Sequence, residues 1–220
     1  FTILGTTGGL LDAPVQVTEV LLVHDCGPDR SDQVIRELVA DHEEVRAVWL
    51  SRNFGQHAAT LCGISRARGE WVVTIDDDLE QPPEAIPTLV RKAQSGFAVV
   101  YGVNEKRTHA LWRNITSEIG RSLFKLAIPS LNREYSSLRV IHRSVASMLS
   151  RFQSPFTFVD GYISWVTANY STVVVPHQAR NEGRSNYGLR KLLSHMLNIF
   201  VTFSDLPLRL ATWLGLGASL

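Results

Sequence analysis

The chain has 220 residues, of which 45% are hydrophobic and 20% charged, and its formal net charge is +1. That length fits one domain with at most a short appendage, and the apolar fraction excludes a disordered or collagen-like chain. The charge is unevenly divided: residues 1–100 carry 8 Lys/Arg against 15 Asp/Glu, a net of −7, and residues 101–220 carry 14 against 6, a net of +8. Such a division suggests a cation-binding front half and an anion- or membrane-facing back half, the alternative being surface charge that simply sorts unevenly.

Phe1 to Leu11 is apolar but lacks a basic start and is broken by Gly5, Gly8 and Gly9, so it does not read as a secretory signal. Val20–Val23 is a continuous apolar run ending at Asp25, the pattern of a buried strand. Asp29 or Ser31 can cap a helix through about His42, with Val34, Ile35, Leu38 and Val39 on one face. Val45–Leu50 reads as a strand and Gln56–Arg68 as a helix stopped by Gly69. Trp71–Ile75 is a third strand, followed abruptly by Asp76-Asp77-Asp78. Pro82-Pro83 opens a helix from Glu84 to about Ser95, and Phe97–Val103 is a fourth strand. Strands alternating with helices imply a largely parallel sheet covered by helices. Ligands of such sheets sit beyond the carboxyl ends of the strands, where Asp25 and Asp76–Asp78 fall.

The second half begins with a helical stripe over Ala110–Ile128. Ser137–Ile141 is strand-like, Val159–Ala168 helical, Ser171–Val175 a further strand, and Gln178–Asn186 a polar loop. Leu189, Leu192, Leu193, Met196, Leu197 and Phe200 form another stripe, flanked by Arg190 and Lys191. It suits either an interfacial membrane helix or a core helix. No apolar stretch reaches the ~20 residues of a spanning helix. Leu206–Leu220 comes closest but contains Pro207 and Arg209.

The acidic triplet carries the clearest chemistry. Alternation along the strand sends Asp76 and Asp78 to one side and Asp77 to the other. Two carboxylates so placed can hold a hard divalent cation, Mg²⁺ or Mn²⁺, that also binds substrate phosphates, with Glu80 as a third oxygen ligand. The alternative is a solvated acidic turn. Asp25 can accept hydrogen bonds from a base or ribose, or it can be a turn residue. Arg52-Asn53-Phe54-Gly55-Gln56 opens a helix, where backbone N–H groups and Arg52 suit an anion; an ordinary turn is the alternative. Lys106, Arg107, Arg113, Arg139, Arg180 and Arg184 lie on separate elements; they converge if the substrate is polyanionic, and for any one of them a solvated surface role is the alternative. The histidines show no zinc spacing. No Walker loop and no Gly-x-Ser-x-Gly elbow is present. Two cysteines, Cys26 and Cys62, are too few for a disulfide framework.

Four segments in order resemble the family 2 glycosyltransferases of GT-A fold, especially the polyprenyl-phosphate (dolichyl- or undecaprenyl-phosphate) sugar transferases. Leu21–Asp29 is similar to the family's Val-Asp-Asp-Gly-Ser segment, and Arg52–Ala59 to its Arg-Asn-Phe-Gly-Gln stretch. Ile75–Glu84 is similar to Asp-Ala-Asp-Leu-Gln-x-Pro-Pro-Glu, and Arg180–Tyr187 to Arg-x-x-Gly-x-Ser-Lys/Asn-Tyr. His24 replaces the first Asp of the family's pair, Cys26-Gly27 replaces Gly-Ser, and Glu80 replaces Gln. The family's first strand is not recognisable in Phe1–Asp12.

The resemblance implies an α/β, GT-A nucleotide-diphospho-sugar transferase fold. Its mostly parallel central sheet would be flanked by helices, with amphipathic, membrane-proximal helices at the C-terminus. Residues 1–187 would be the transferase domain. Residues 188–220 would be an interfacial helix and the start of a membrane segment. It implies a UDP- or GDP-sugar donor, a polyprenyl phosphate acceptor and Mg²⁺ or Mn²⁺ on Asp76, Asp78 and Glu80. It further implies inversion at the anomeric carbon and work in cell-envelope glycan synthesis at the cytoplasmic face of a membrane. No nucleic acid is implied, and a homo-oligomer is allowed. Asp25, Arg52, Asp77, Arg113, Ser137 and Ser185 would bind the donor. Asp76, Asp78, Arg139 and Arg180 would act in catalysis, the arginines on phosphates. The alternatives are a family member with a saccharide acceptor, which needs a general base, and a non-catalytic nucleotide-sugar-binding module.

Overall fold

The computed structural model describes residues 2–7, 15–78, 80–104, 135–154, 156–176, 198, 201–204 and 206–218. The chain divides into two compact units, Phe1–Lys106 with Glu134–Asn181, and Arg107–Arg133 with Glu182–Leu220. The first unit holds a seven-stranded sheet, in the order β3-β2-β1-β4-β6-β5-β7. Its strands are β1 (Thr2–Thr7), β2 (Gln16–His24), β3 (Val45–Trp49), β4 (Trp71–Ile75), β5 (Val99–Asn104), β6 (Arg139–His142) and β7 (Tyr170–Val175).

Five of the seven strands run the same way; β1 and β6 run against them. The expected parallel bias therefore holds for strand direction. Only β2–β3 and β5–β7 are parallel neighbours, because the two reversed strands are interleaved. β1 is the departure from the sequence reading, which found no first strand. It fills the slot between β2 and β4, antiparallel to both. Only residues 8–15 separate β1 from β2, and a parallel crossover needs a dozen or more. An antiparallel return is therefore the pairing open to it.

The helices of this unit are α1 (Ser31–Asp41), α2 (Gln56–Arg66), α3 (Ile86–Gln94), α4 (Arg143–Leu149) and α5 (Val159–Val166). In α3, Ile86, Leu89, Val90 and Ala93 are buried, one face at helical spacing. A 3₁₀ turn at Pro83–Ala85 precedes it, since the ring of Pro83 presets the first turn. Helix α3 packs on β5, β6 and β7, while α2, α4 and α5 pack together. The core beneath α3 includes Val73, Ile75, Leu89, Val90, Val100, Leu138 and Val140. Helix α1 buries no residue fully, and Val34 is 53% exposed despite its place on the apolar stripe. Asp29 does not cap α1. Its carboxylate accepts from the Ser31 backbone (3.2 Å) and hydroxyl (2.7 Å) in a local turn, and Arg30 is the cap residue. Helix α4 was not anticipated.

In the second unit, α6 (Leu206–Ala218) leaves Leu208, Trp213, Leu214 and Leu216 exposed. No helix among the described residues is long and apolar enough to cross a membrane. The helical stripes expected over 110–128 and 189–200 and the polar loop 178–186 lie outside the described residues, apart from Asn198.

Candidate active site

The carboxyl ends of β2, β3 and β4 meet at one edge, and each is followed by a polar segment. Asp25 follows β2. Its Oδ1 accepts from the Phe54 N–H at 2.7 Å and its Oδ2 from the Gly55 N–H at 2.8 Å. The carboxylate thus clamps the 52–55 loop onto the end of β2. Gly55 has φ +90°, a backbone state that glycine adopts at little cost, and starts α2. Arg52 is exposed, its guanidinium 4.6 Å from the Phe54 ring centre. Cys26 is also in the left-handed region, at φ +53°.

Gln56, the first residue of α2, donates its amide to Asp76 Oδ1 at 3.0 Å. The Ser137 hydroxyl also bonds Asp76. Burial raises the Asp76 carboxyl above its ordinary range. The Ser137 bond opposes that rise, the Asp78 charge adds to it, and Arg139 and Gln56 oppose it more weakly. Gln81 donates to the Ser137 hydroxyl at 2.9 Å. The Ser137 hydroxyl thus accepts a hydrogen bond from Gln81 while it bonds Asp76. Polar groups relayed this way orient one another. His24 Nε2 and Gln81 Oε1 are buried without a hydrogen-bond partner among the described residues. Such atoms cost about 1–3 kcal/mol each, and both belong to this edge.

Two expectations change here. Asp76, Asp78 and Glu80 do not form a three-ligand cluster: among the described residues, no three His, Cys, Asp or Glu side chains lie close enough to hold a metal ion. Asp78 Oδ1 accepts from the Glu80 N–H at 3.1 Å, a local bond of an aspartate to the backbone two residues on. The carboxylate pair Asp76/Asp78 remains. Sites for Mg²⁺-like cations commonly use one or two protein carboxylates, with water and substrate oxygens completing the shell. Asp76, desolvated and facing the Asp78 charge, fits such a cation.

Arg139 is the second change. It is only 3% exposed and its Nη1 pairs with Asp160, itself 3% exposed. Its Nε donates to the Thr74 hydroxyl at 3.1 Å and, at 3.4 Å, to the Ser137 carbonyl. The guanidinium is thus turned into the interior and not presented to a phosphate. Thr74 donates to the same Ser137 carbonyl at 2.5 Å. Burial pushes the Asp160 carboxyl up, while Arg139 and the Tyr101 hydroxyl, which also bonds it, hold it down. Burial likewise pushes Tyr101 up.

Of the expected site residues, the structure brings together Asp25 with the Arg52 loop, and Asp76 with Asp78 and Ser137. Asp77 lies between the two metal-side carboxylates in sequence. Arg113, Arg180 and Ser185 lie outside the described residues, as do Lys106, Arg107 and Arg184. Sequence reasoning missed Gln56, Gln81, Thr74, Tyr101 and Asp160. Gln56 closes the Arg52–Gln56 segment, so a polar side chain at a helix start was available as a signal.

Residues 2–156 match the family model described as Glycosyl transferase family 2. An undecaprenyl-phosphate 4-deoxy-4-formamido-L-arabinose transferase of Pseudomonas aeruginosa (strain LESB58) is 32% identical over 204 residues, which cover 92% of this chain and 60% of that protein. An uncharacterized glycosyltransferase of Bacillus subtilis (strain 168) is 31% identical over 209 residues, covering 94% of this chain and 65% of that one. The chain spans about 60% of the length of the first of these relatives. Among solved structures, glucosyl-3-phosphoglycerate synthase from Mycobacterium tuberculosis, in complex with Mn²⁺, UDP-glucose and phosphoglyceric acid, superposes with a TM-score of 0.59. It is 18% identical and covers 83% of this chain and 66% of its own. That likeness gives the chain a GT-A fold.

Proposed function

This chain belongs to glycosyl transferase family 2, and from that premise we propose that it moves a sugar from a nucleotide-sugar donor to a polyprenyl phosphate. The observation that carries the reading is the likeness to the Pseudomonas aeruginosa enzyme, whose name specifies undecaprenyl phosphate, over 92% of this chain. The geometry supports it. Asp25 organises a loop whose N–H groups and Arg52 suit the nucleotide. Asp76 and Asp78 stand at the adjoining strand end, where the donor diphosphate would lie, with Asp77 beside them. Arg113, Arg180 and Ser185 are proposed for the remaining phosphate contacts.

The chemistry follows from charge. An acceptor phosphate monoester has a second pKa of about 6, so it is largely ionised near neutrality. Its oxygen can attack the anomeric carbon directly, and direct displacement inverts that carbon. No protein base has to remove a proton. The chain's task is to hold two anions together and to exclude water from the sugar. Mg²⁺ or Mn²⁺ bound at Asp76 and Asp78 would supply positive charge against the diphosphate as it departs. The Mn²⁺ bound in the structural neighbour favours such a cation. The exposed Leu208, Trp213 and Leu214 of α6 support a place at the membrane surface where the lipid acceptor resides, and the face we propose is the cytoplasmic one.

The test is transfer by the full chain with Mn²⁺, undecaprenyl phosphate and either UDP- or GDP-sugars. A lipid-linked sugar is expected, and none from Asp76→Asn/Asp78→Asn. Undiminished transfer by that double variant refutes the site. Transfer to a saccharide but not to the lipid phosphate refutes the acceptor.

A further inference from the structure

Beneath the strand ends lies a row of buried polar side chains that the proposed reaction does not use. Thr74 on β4 is the cross-strand partner of Arg139 on β6, and Arg139 is the partner of Tyr101 on β5. Asp160, in the first turn of α5, pairs with Arg139 and bonds the Tyr101 hydroxyl. Thr74, Tyr101, Arg139 and Asp160 are each less than 5% exposed. A buried ion pair is costly to assemble and is weak evidence for stability by itself. What the pair is fastened to is therefore informative.

Its outer end is the Ser137 carbonyl, which accepts from both the Thr74 hydroxyl (2.5 Å) and Arg139 Nε (3.4 Å). Fixing that carbonyl fixes the turn that enters β6. The Ser137 hydroxyl then meets Asp76, and Gln81 holds the hydroxyl from the other side at 2.9 Å. The chain of contacts runs from Asp160 through Arg139 and Thr74 to Ser137 and ends on Asp76. The links from Asp160 to Arg139 and from Arg139 to Thr74 are hydrogen bonds in the buried interior, and those onto the Ser137 carbonyl are partly buried.

We propose that Asp160 is a positioning residue for the Asp76 site: by orienting Arg139 it locks the Ser137 turn and keeps the Ser137 hydroxyl on the Asp76 carboxylate. The inference rests on the reading of Asp76 as a cation ligand. Partners that orient a metal ligand typically change metal affinity about 10–100-fold when removed. The same range is expected here for a residue acting at two removes, toward its lower end.

The experiment is Mn²⁺ binding to the full chain by electron paramagnetic resonance, with thermal unfolding recorded for each variant. Asp76→Asn tests the underlying reading: unchanged Mn²⁺ affinity overturns that reading and this inference together. Given loss of binding in Asp76→Asn, Ser137→Ala and Asp160→Asn are each expected to weaken Mn²⁺ binding about 10-fold. The double variant is expected to be no weaker than the singles, because one pathway is cut twice. Effects that multiply in the double variant overturn the proposal, as does unchanged affinity in Asp160→Asn. Where Asp160→Asn does not fold, Thr74 decides. Thr74→Ser keeps the hydroxyl and should keep wild-type Mn²⁺ affinity, while Thr74→Val should lose it. Equal affinity in those two variants overturns the proposal.

Discussion

Asp25 offers the sharpest separation between a residue that builds a site and one that only touches a ligand. Its two oxygens accept from Phe54 N at 2.7 Å and Gly55 N at 2.8 Å. Hydrogen bonds to a charged group contribute about 1.5–3 kcal/mol each when shielded. Asp25 is half-buried, so about 1 kcal/mol each is the better figure, roughly 2 kcal/mol for the clamp. Asp25→Asn keeps the shape and one acceptor but turns an NH₂ group toward the second N–H. It should therefore lose about as much as Asp25→Ala. At about 2–4 °C per kcal/mol for a chain of this size, both variants should melt roughly 4–8 °C lower. Calorimetric melting checks this, and isothermal titration with UDP- and GDP-sugars should show weakened donor binding alongside. An Asp25→Asn variant that melts with the wild type and loses only donor affinity would refute the clamp.

Asp76 should behave in the opposite sense. Its carboxyl is raised in the folded state, so its favourable contribution is present at low pH and is lost as pH rises through the folded value. Asp76→Asn should therefore raise the melting temperature of the cation-free protein at neutral pH, and the gain should vanish below about pH 4, near the unfolded carboxyl value; urea unfolding at several pH values measures it. Cys26 holds φ +53° where the resembled family has Gly. Relief of left-handed strain, less the entropy of a new glycine, should let Cys26→Gly stabilise by about 0.5–1 kcal/mol in urea unfolding. At Gly102 a Cβ would lie 2.8 Å from Leu138 Cδ2 and 3.3 Å from Leu89 Cδ2, all in the core. Gly102→Ala should cost about 1–3 kcal/mol by the same measurement, and Mn²⁺ affinity should fall as well, since Leu138 lies between Ser137 and Arg139.

Most of the front half was legible because its periodicities are unambiguous. Trp71–Ile75 is a strand with every residue buried, as a continuous apolar run requires. Helix α2 starts at Gln56 as expected and α3 at Ile86, two residues after the expected Glu84; they end at Arg66 and Gln94, two and one residues early. What was not legible depends on neighbours. The segment Thr2–Thr7 carries no first-strand motif, yet the sheet has a slot there and a short return reaches it. Helix α4 is seven residues long, too short for a periodic stripe to declare itself. The stripe of α1 correctly marked a helix but not burial, because α1 lies on β2 and β3 near the edge of the sheet, where little covers its outer side.

Arg139 shows why a charge count cannot assign partners. Spread basic residues in the +8 half suggested phosphate contacts, and Arg139 stood among them. Its immediate neighbours argue otherwise: Leu138, Val140 and Ile141 are fully buried, and an arginine within such a strand must find its counter-charge inside. Asp160 carries the matching mark, a lone acid between Val159 and Tyr162 in an apolar stretch. Each residue alone is an anomaly of pattern. Together they solve each other's burial, and only the sheet register beside α5 brings them into contact. The cationic charge of Arg139 still acts on Asp76, which it helps to keep ionised. The residue therefore serves the site from behind, through the field it exerts and the turn it holds.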